Sequence, residues 1–119
     1  MINFYFDVDV DSLEVSSDLT GSCTWIPDSK NKENSLTLTI AWRTEGRGSI
    51  DNEIIYETEL IQSETTYFKC KIPVAGPISY NGKLLRIIWE IAVTQPKWLG
   101  LGKDTLKTQM IRVIPQQKR

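Results

Sequence analysis

Apolar and polar side chains alternate along much of this chain. Leu36, Leu38, Ile40 and Trp42 are large and apolar, and Thr37, Thr39, Ala41 and Arg43 between them are small or polar. Leu85, Ile87, Trp89, Ile91 and Val93 form a second apolar series, with Arg86, Glu90 and Thr94 on the opposite face. A period of two over eight or more residues belongs to a half-buried strand, because successive side chains point to opposite faces of a sheet. The pattern predicts seven strands, over residues 2–10, 19–26, 36–44, 50–61, 65–72, 83–94 and 103–114. Turn-forming residues separate them: Pro27 to Asn31, Glu45 to Ser49, Asn81-Gly82, and Gly100 with Gly102. No segment carries a sustained helical repeat. Several short strands at regular spacing predict an all-β fold, an antiparallel immunoglobulin-like sandwich.

Composition supports the strands. Val, Ile and Thr together number 31 of 119 residues and Ala only 3; branched side chains suit a pleated surface and crowd a helix. The length is that of one domain, expected over residues 1–114, with a frayed tail at 115–119.

Charge and chemistry narrow the function. Lys and Arg number 14 against 15 Asp and Glu, a balance that gives no electrostatic argument for nucleic acid or an anionic membrane. Histidine is absent, which removes histidine bases and His-based triads. No glycine-rich phosphate loop or nucleophile elbow follows a strand, so no enzyme activity, cofactor or metal is expected. No apolar run can span a bilayer and the first ten residues lack a signal-peptide order; the expected location is cytoplasmic. Asp7, Asp9, Asp11 and Asp18 have part of the spacing of a calcium loop, but Ser12 stands where that loop turns on Gly and Asp18 where it uses Glu. Glu57 and Glu59 read as one solvated strand face. Acids crowd the first 18 residues and six bases follow residue 96. That asymmetry fits first and last strands lying side by side, or head-to-tail contact between molecules.

Cys23 and Cys70 fall at inward positions. With Trp42 they suggest an immunoglobulin bridge, but Cys70 precedes a proline-rich connection instead of following a Tyr on the sixth strand; reduced, buried thiols are expected. Two connections remain. Residues 72–83, with Pro73, Pro77, Ser79, Tyr80 and Gly82, read as a stiff structural corner, in which Tyr80 tucks its ring under the sixth strand and bonds to backbone through its hydroxyl. Residues 95–103 place Trp98, Leu99 and Leu101 between Lys97 and Lys103. Either Trp98 plugs the open end of the sandwich, or these five residues anchor a partner or a second copy of the chain.

The run Thr66-Tyr67-Phe68, Ile72-Pro73, Gly76-Pro77, Ser79-Tyr80 and Gly82, followed by Ile87 or Ile88, Trp89 and Val93, resembles the arrestin family. Upstream, Asp18 to Cys23 resembles the family's early Gly-x-x-x-Gly strand, with Asp18 in place of the first Gly. The resemblance implies a single arrestin-like sandwich acting as a non-enzymatic adaptor or scaffold for an unnamed protein partner, with homo-oligomers through edge strands as a further possibility. Arrestins have two such sandwiches and this chain has length for one, so their inter-domain polar core and groove are not carried over. No clathrin-type or PPxY motif is present. The rival expectation is an extracellular or phage-associated carbohydrate-binding sandwich that uses exposed Trp25 and Trp98.

Overall fold

The computed structural model describes residues 1–27, 35–47, 50–96 and 102–117. Ten strands follow one another: β1 (Ile2–Phe6), β2 (Leu13–Glu14), β3 (Asp18–Trp25), β4 (Leu36–Gly46), β5 (Asn52–Leu60), β6 (Thr65–Lys71), β7 (Tyr80–Asn81), β8 (Leu85–Pro96), β9 (Lys103–Ile111) and β10 (Val113–Ile114). No helix occurs among the described residues. The smaller sheet has the order β1-β3-β6 and is antiparallel. The larger has the order β5-β4-β8, and β8 is continued on its far edge by β7 at one end and β9 at the other, all antiparallel. A short parallel pair, β2 with β10, closes one end.

The inner faces of both sheets supply one core. Leu36, Leu38 and Ile40 from β4 and Trp89, Ile91 and Val93 from β8 meet Leu19, Cys23 and Trp25 from β3 and Phe68 and Cys70 from β6, all buried. These are the alternating positions read from the sequence. Trp89 is fully buried, and its indole N–H donates to the Pro77 carbonyl at 2.9 Å. Trp42 departs from expectation: it is half-buried and its indole nitrogen, enclosed, has no hydrogen-bond partner among the described residues. Its register partner on β5 is Glu53, which is exposed.

Gly21 shows how closely β1 and β3 approach. A Cβ there would stand 2.2 Å from the Tyr5 carbonyl oxygen and 2.8 Å from the Phe68 ring, so only glycine fits. Three predicted strands are corrected. The first ends at Phe6, because Asp9 to Ser12 forms a turn in which Ser12 donates to the Asp9 carbonyl and the Asp9 carboxylate accepts the Asp11 N–H. The last is broken at Arg112 into β9 and β10, as the chain crosses from the larger sheet to pair with β2. β8 starts at Leu85 rather than residue 83, and Asn81 is already paired with Arg86 in the tight hairpin before it.

The first and last segments do lie side by side. Arg112 donates its N–H to Val10, Leu13 donates to Arg112, and Lys107 Nζ bonds the Ile2 carbonyl at 2.7 Å while standing 5.5 Å from the centre of the Phe4 ring. The contacts include backbone bonds, one lysine on a carbonyl and an aromatic face, and the Gln117 N–H on the Glu14 carboxylate, where charge pairing was expected; Asp18 instead faces Lys69 at 3.9 Å.

Candidate functional site

The two segments singled out in the sequence precede and follow β8 along the chain. Residues 73–79 cross from β6 to β7, and residues 97–101 join β8 to β9.

The corner is tied from three sides. The Pro77 carbonyl accepts the Trp89 indole. Ser79 exchanges a pair of bonds with Val113: its N–H donates to the Val113 carbonyl and its Oγ accepts the Val113 N–H, both at 2.9 Å. Gly76 donates to the Pro73 carbonyl to turn the chain. Prolines hold φ near the values these turns need and remove donors that have no partner here. Pro73 and Pro77 are half-buried. Tyr80 corrects the sequence reading. It is 54% exposed, no bond from its hydroxyl to backbone is present among the described residues, and its ring lies over Gly82, where a Cβ would come within 2.5 Å of a ring carbon. The hydroxyl role expected of Tyr80 is filled by the Trp89 indole and the Ser79 Oγ.

Of the partner-binding candidates, Lys97, Trp98, Leu99 and Leu101 lie outside the described residues. Lys103 opens β9 and is exposed. β9 pairs with β8 along one side only; its other edge is unpaired among the described residues. Its inward positions, opposite Val93, Ile91 and Trp89, are Lys107, Gln109 and Ile111. Its outward positions include Thr108 and Met110, the latter 52% exposed. One extra residue, Leu106, bulges between Thr105 and Lys107 and is 44% exposed.

Between the ends of β7 and β9 the β8 edge is left open for a short stretch. An open cleft of about 390 Å³ sits there, lined by Asp11, Ser79, Tyr80, Ile88, Met110 and Arg112 among others. Arg86, on its rim, is shared with Glu45 at 3.4 Å, whereas the Arg112 guanidinium makes no ion pair among the described residues. On the outer face of the same sheet Arg43 bridges Glu45 and Glu90. Burial opposes its charge, but the hydrogen bonds and charges of the two carboxylates outweigh it and hold the guanidinium above its ordinary pKa. This cleft was not anticipated, because it arises from β7 and β9 stopping short of each other, which side-chain alternation does not encode.

The remaining candidates are placed as follows. Cys23 and Cys70 are free, buried thiols, as expected; burial pushes each from 9.0 up to about 11, with Lys107 lowering the first slightly and Asp18 adding to the second. At such values the nucleophilic thiolate is scarce near neutrality. Glu57 and Glu59 are exposed on one face of β5. No group of three or more metal-ligating side chains is assembled among the described residues. Trp25, one of the two tryptophans of the carbohydrate reading, is buried at 8% exposure. Among the described residues the most exposed aromatics are Tyr5, Tyr67 and Tyr80; Tyr5 and Tyr67 face outward on either side of Ser22. Their parity against Phe4, Phe6 and Phe68 is a signal the sequence does contain. No described helix is long and apolar enough to cross a membrane.

No protein-family model matches the sequence, and no curated protein sequence does. A solved structure does resemble it: Spo0M, a sporulation control protein from Bacillus subtilis, with a TM-score of 0.55 at 12% identity. The match covers 97% of this chain and 49% of Spo0M, so the chain spans about half that protein's length. At this identity the likeness establishes the fold, and the fold is an antiparallel arrestin-like β-sandwich.

Proposed function

We propose that this chain is a non-enzymatic protein–protein interaction module, an adaptor or scaffold of arrestin-like type working in the cytoplasm, and that it takes its partner along β9. The observation that carries this reading is the unpaired edge of β9, nine residues long and flanked by exposed Lys103, Leu106 and Met110. An open edge offers a row of backbone donors and acceptors to an added strand, and flanking side chains supply selectivity. The description of Spo0M as a sporulation control protein is consistent with an adaptor. The carbohydrate reading is the weaker one, since Trp25 is in the core.

The test is site-specific photocrosslinking in the native host. A photoreactive side chain at Leu106 should give a discrete polypeptide adduct, and the same group at Tyr67, 79% exposed on the other sheet, should give none. Equal labelling at both sites, or no adduct at Leu106, contradicts the proposal.

A further inference from the structure

Among the described residues the larger sheet is unpaired along β5 and along β9, each nine residues long. They differ in charge. From Asp51 to Leu60 there are four carboxylates (Asp51, Glu53, Glu57, Glu59) and no base. None of the four makes an ion pair among the described residues. β9 and the residue after it carry Lys103, Lys107 and Arg112 against Asp104. Lys103 and Arg112 also lack ion pairs there, and Lys107 is turned inward onto β1. β5 has neither lysine nor proline along its length, the usual blocks on an open edge.

Resting on the reading that β9 is the docking edge, we propose that one of its partners is a second copy of this chain, bound through β5, so that the larger sheet continues from molecule to molecule. Strand direction allows it. β5, β4, β8 and β9 alternate, so an even number of strands leaves the two edges running oppositely. A copy displaced along the sheet then sets its β5 antiparallel to β9. The three-stranded sheet has an odd count, and its edges would meet parallel, the less stable pairing. It is also one strand narrower, so its own width does not bar the junction.

The two edges match in register as well. Each carries one bulged residue, Ile55 in β5 and Leu106 in β9. With Glu59 opposite Lys103, Glu57 meets Thr105 and Ile54 meets Thr108, and each of these pairs has both members on the outer face. Lys107, whose inward charge would ordinarily resist an added strand, already has its ammonium on the Ile2 carbonyl and the Phe4 ring. The contact is heterologous and leaves a free edge at each end, so it gives open chains of molecules. With a twist of about 20–25° per strand, successive copies turn by roughly a quarter revolution.

The test uses the purified chain alone, by sedimentation and light scattering from micromolar to millimolar concentration. The mass should climb with concentration without stopping at a dimer, and fall as salt screens the exposed charges. Glu59→Lys or Lys103→Glu, each at an exposed site and each checked for a native circular dichroism spectrum, should weaken association about tenfold, because like charges then face each other. Mixing the two variants should restore a heterodimeric contact through their reversed edges. A chain that stays monomeric throughout, a closed dimer, or association indifferent to both substitutions overturns the proposal. A monomeric chain whose Leu106 probe still captures another polypeptide in the host refutes self-assembly and leaves the adaptor reading standing.

Discussion

The far edge of β8 is finished in two different ways. At its start, β7 and the corner are bound into the fold: the Trp89 indole, the Ser79 pair with Val113, and a proline on either side of the turn leave the backbone little to offer a partner. At its end, β9 is paired on one side and, among the described residues, bare on the other, with Lys103, Leu106 and Met110 exposed. The sequence marks both regions: two prolines and Asn81-Gly82 set off the corner, and apolar residues between Lys97 and Lys103 set off the stretch before β9. The corner turns its hydrogen bonds inward, whereas the edge leaves its backbone groups available. An unusual loop composition therefore signals either structure or recognition, and what separates them is where the backbone hydrogen bonds go.

Trp89→Ala should have the largest effect, because it removes a fully buried side chain and strands the Pro77 carbonyl. A loss of about 3–5 kcal/mol in chemical denaturation is expected, a large part of the stability of a domain this size. The corner should come loose with it.

Alkaline pH comes next, acting through the sheet against which both regions close. Cys23 and Cys70 hold their protons in the folded state to about 11 and release them near 9.0 when unfolded. Ionisation therefore favours the unfolded chain. The stability the neutral thiols confer is complete below pH 9 and is lost as pH rises from 9 to 11. Denaturation midpoints of the wild type should fall more steeply across that window than those of a Cys23→Ala/Cys70→Ala variant. Parallel curves would contradict the burial argument.

Ser79→Ala removes the acceptor of the Val113 N–H and should cost about 1–3 kcal/mol. Lys107→Met keeps the packing of the stem but loses the bond to Ile2 and the cation over Phe4, and should cost about 1 kcal/mol. At the open edge Lys103→Ala should change stability by no more than about 0.5 kcal/mol. A Lys103→Ala melt as damaged as that of Ser79→Ala would erase the distinction between the two regions.

Much of the sandwich was legible because alternation reports burial directly. The inward faces of β4 and β8 and the two buried thiols follow from parity alone. Less was legible where a contact depends on how elements meet. Val113 and Leu13 form a parallel pair of two residues, too short for any period to show. Tyr80 has the composition of a corner tyrosine, yet the ring lies over Gly82 and leaves the hydrogen bonding to Trp89 and Ser79. Bulges at Ile55 and Leu106 each shift the parity of a strand, and nothing in the local sequence marks them. Lys103 is the one member of the predicted anchor within the described residues, and it lies at the open edge.

Amide hydrogen exchange across β9 and the corner, at low and high protein concentration, tests the central claim most directly. In dilute solution the Val113 amide and the Trp89 indole N–H should exchange only on global unfolding, while the unpaired amides of β9 exchange far faster. Raising the concentration should protect β9 and, in step, β5, and leave the corner unchanged. Unpaired β9 amides that are as slow in dilute protein as the corner, or that gain no protection on concentration, would contradict the account.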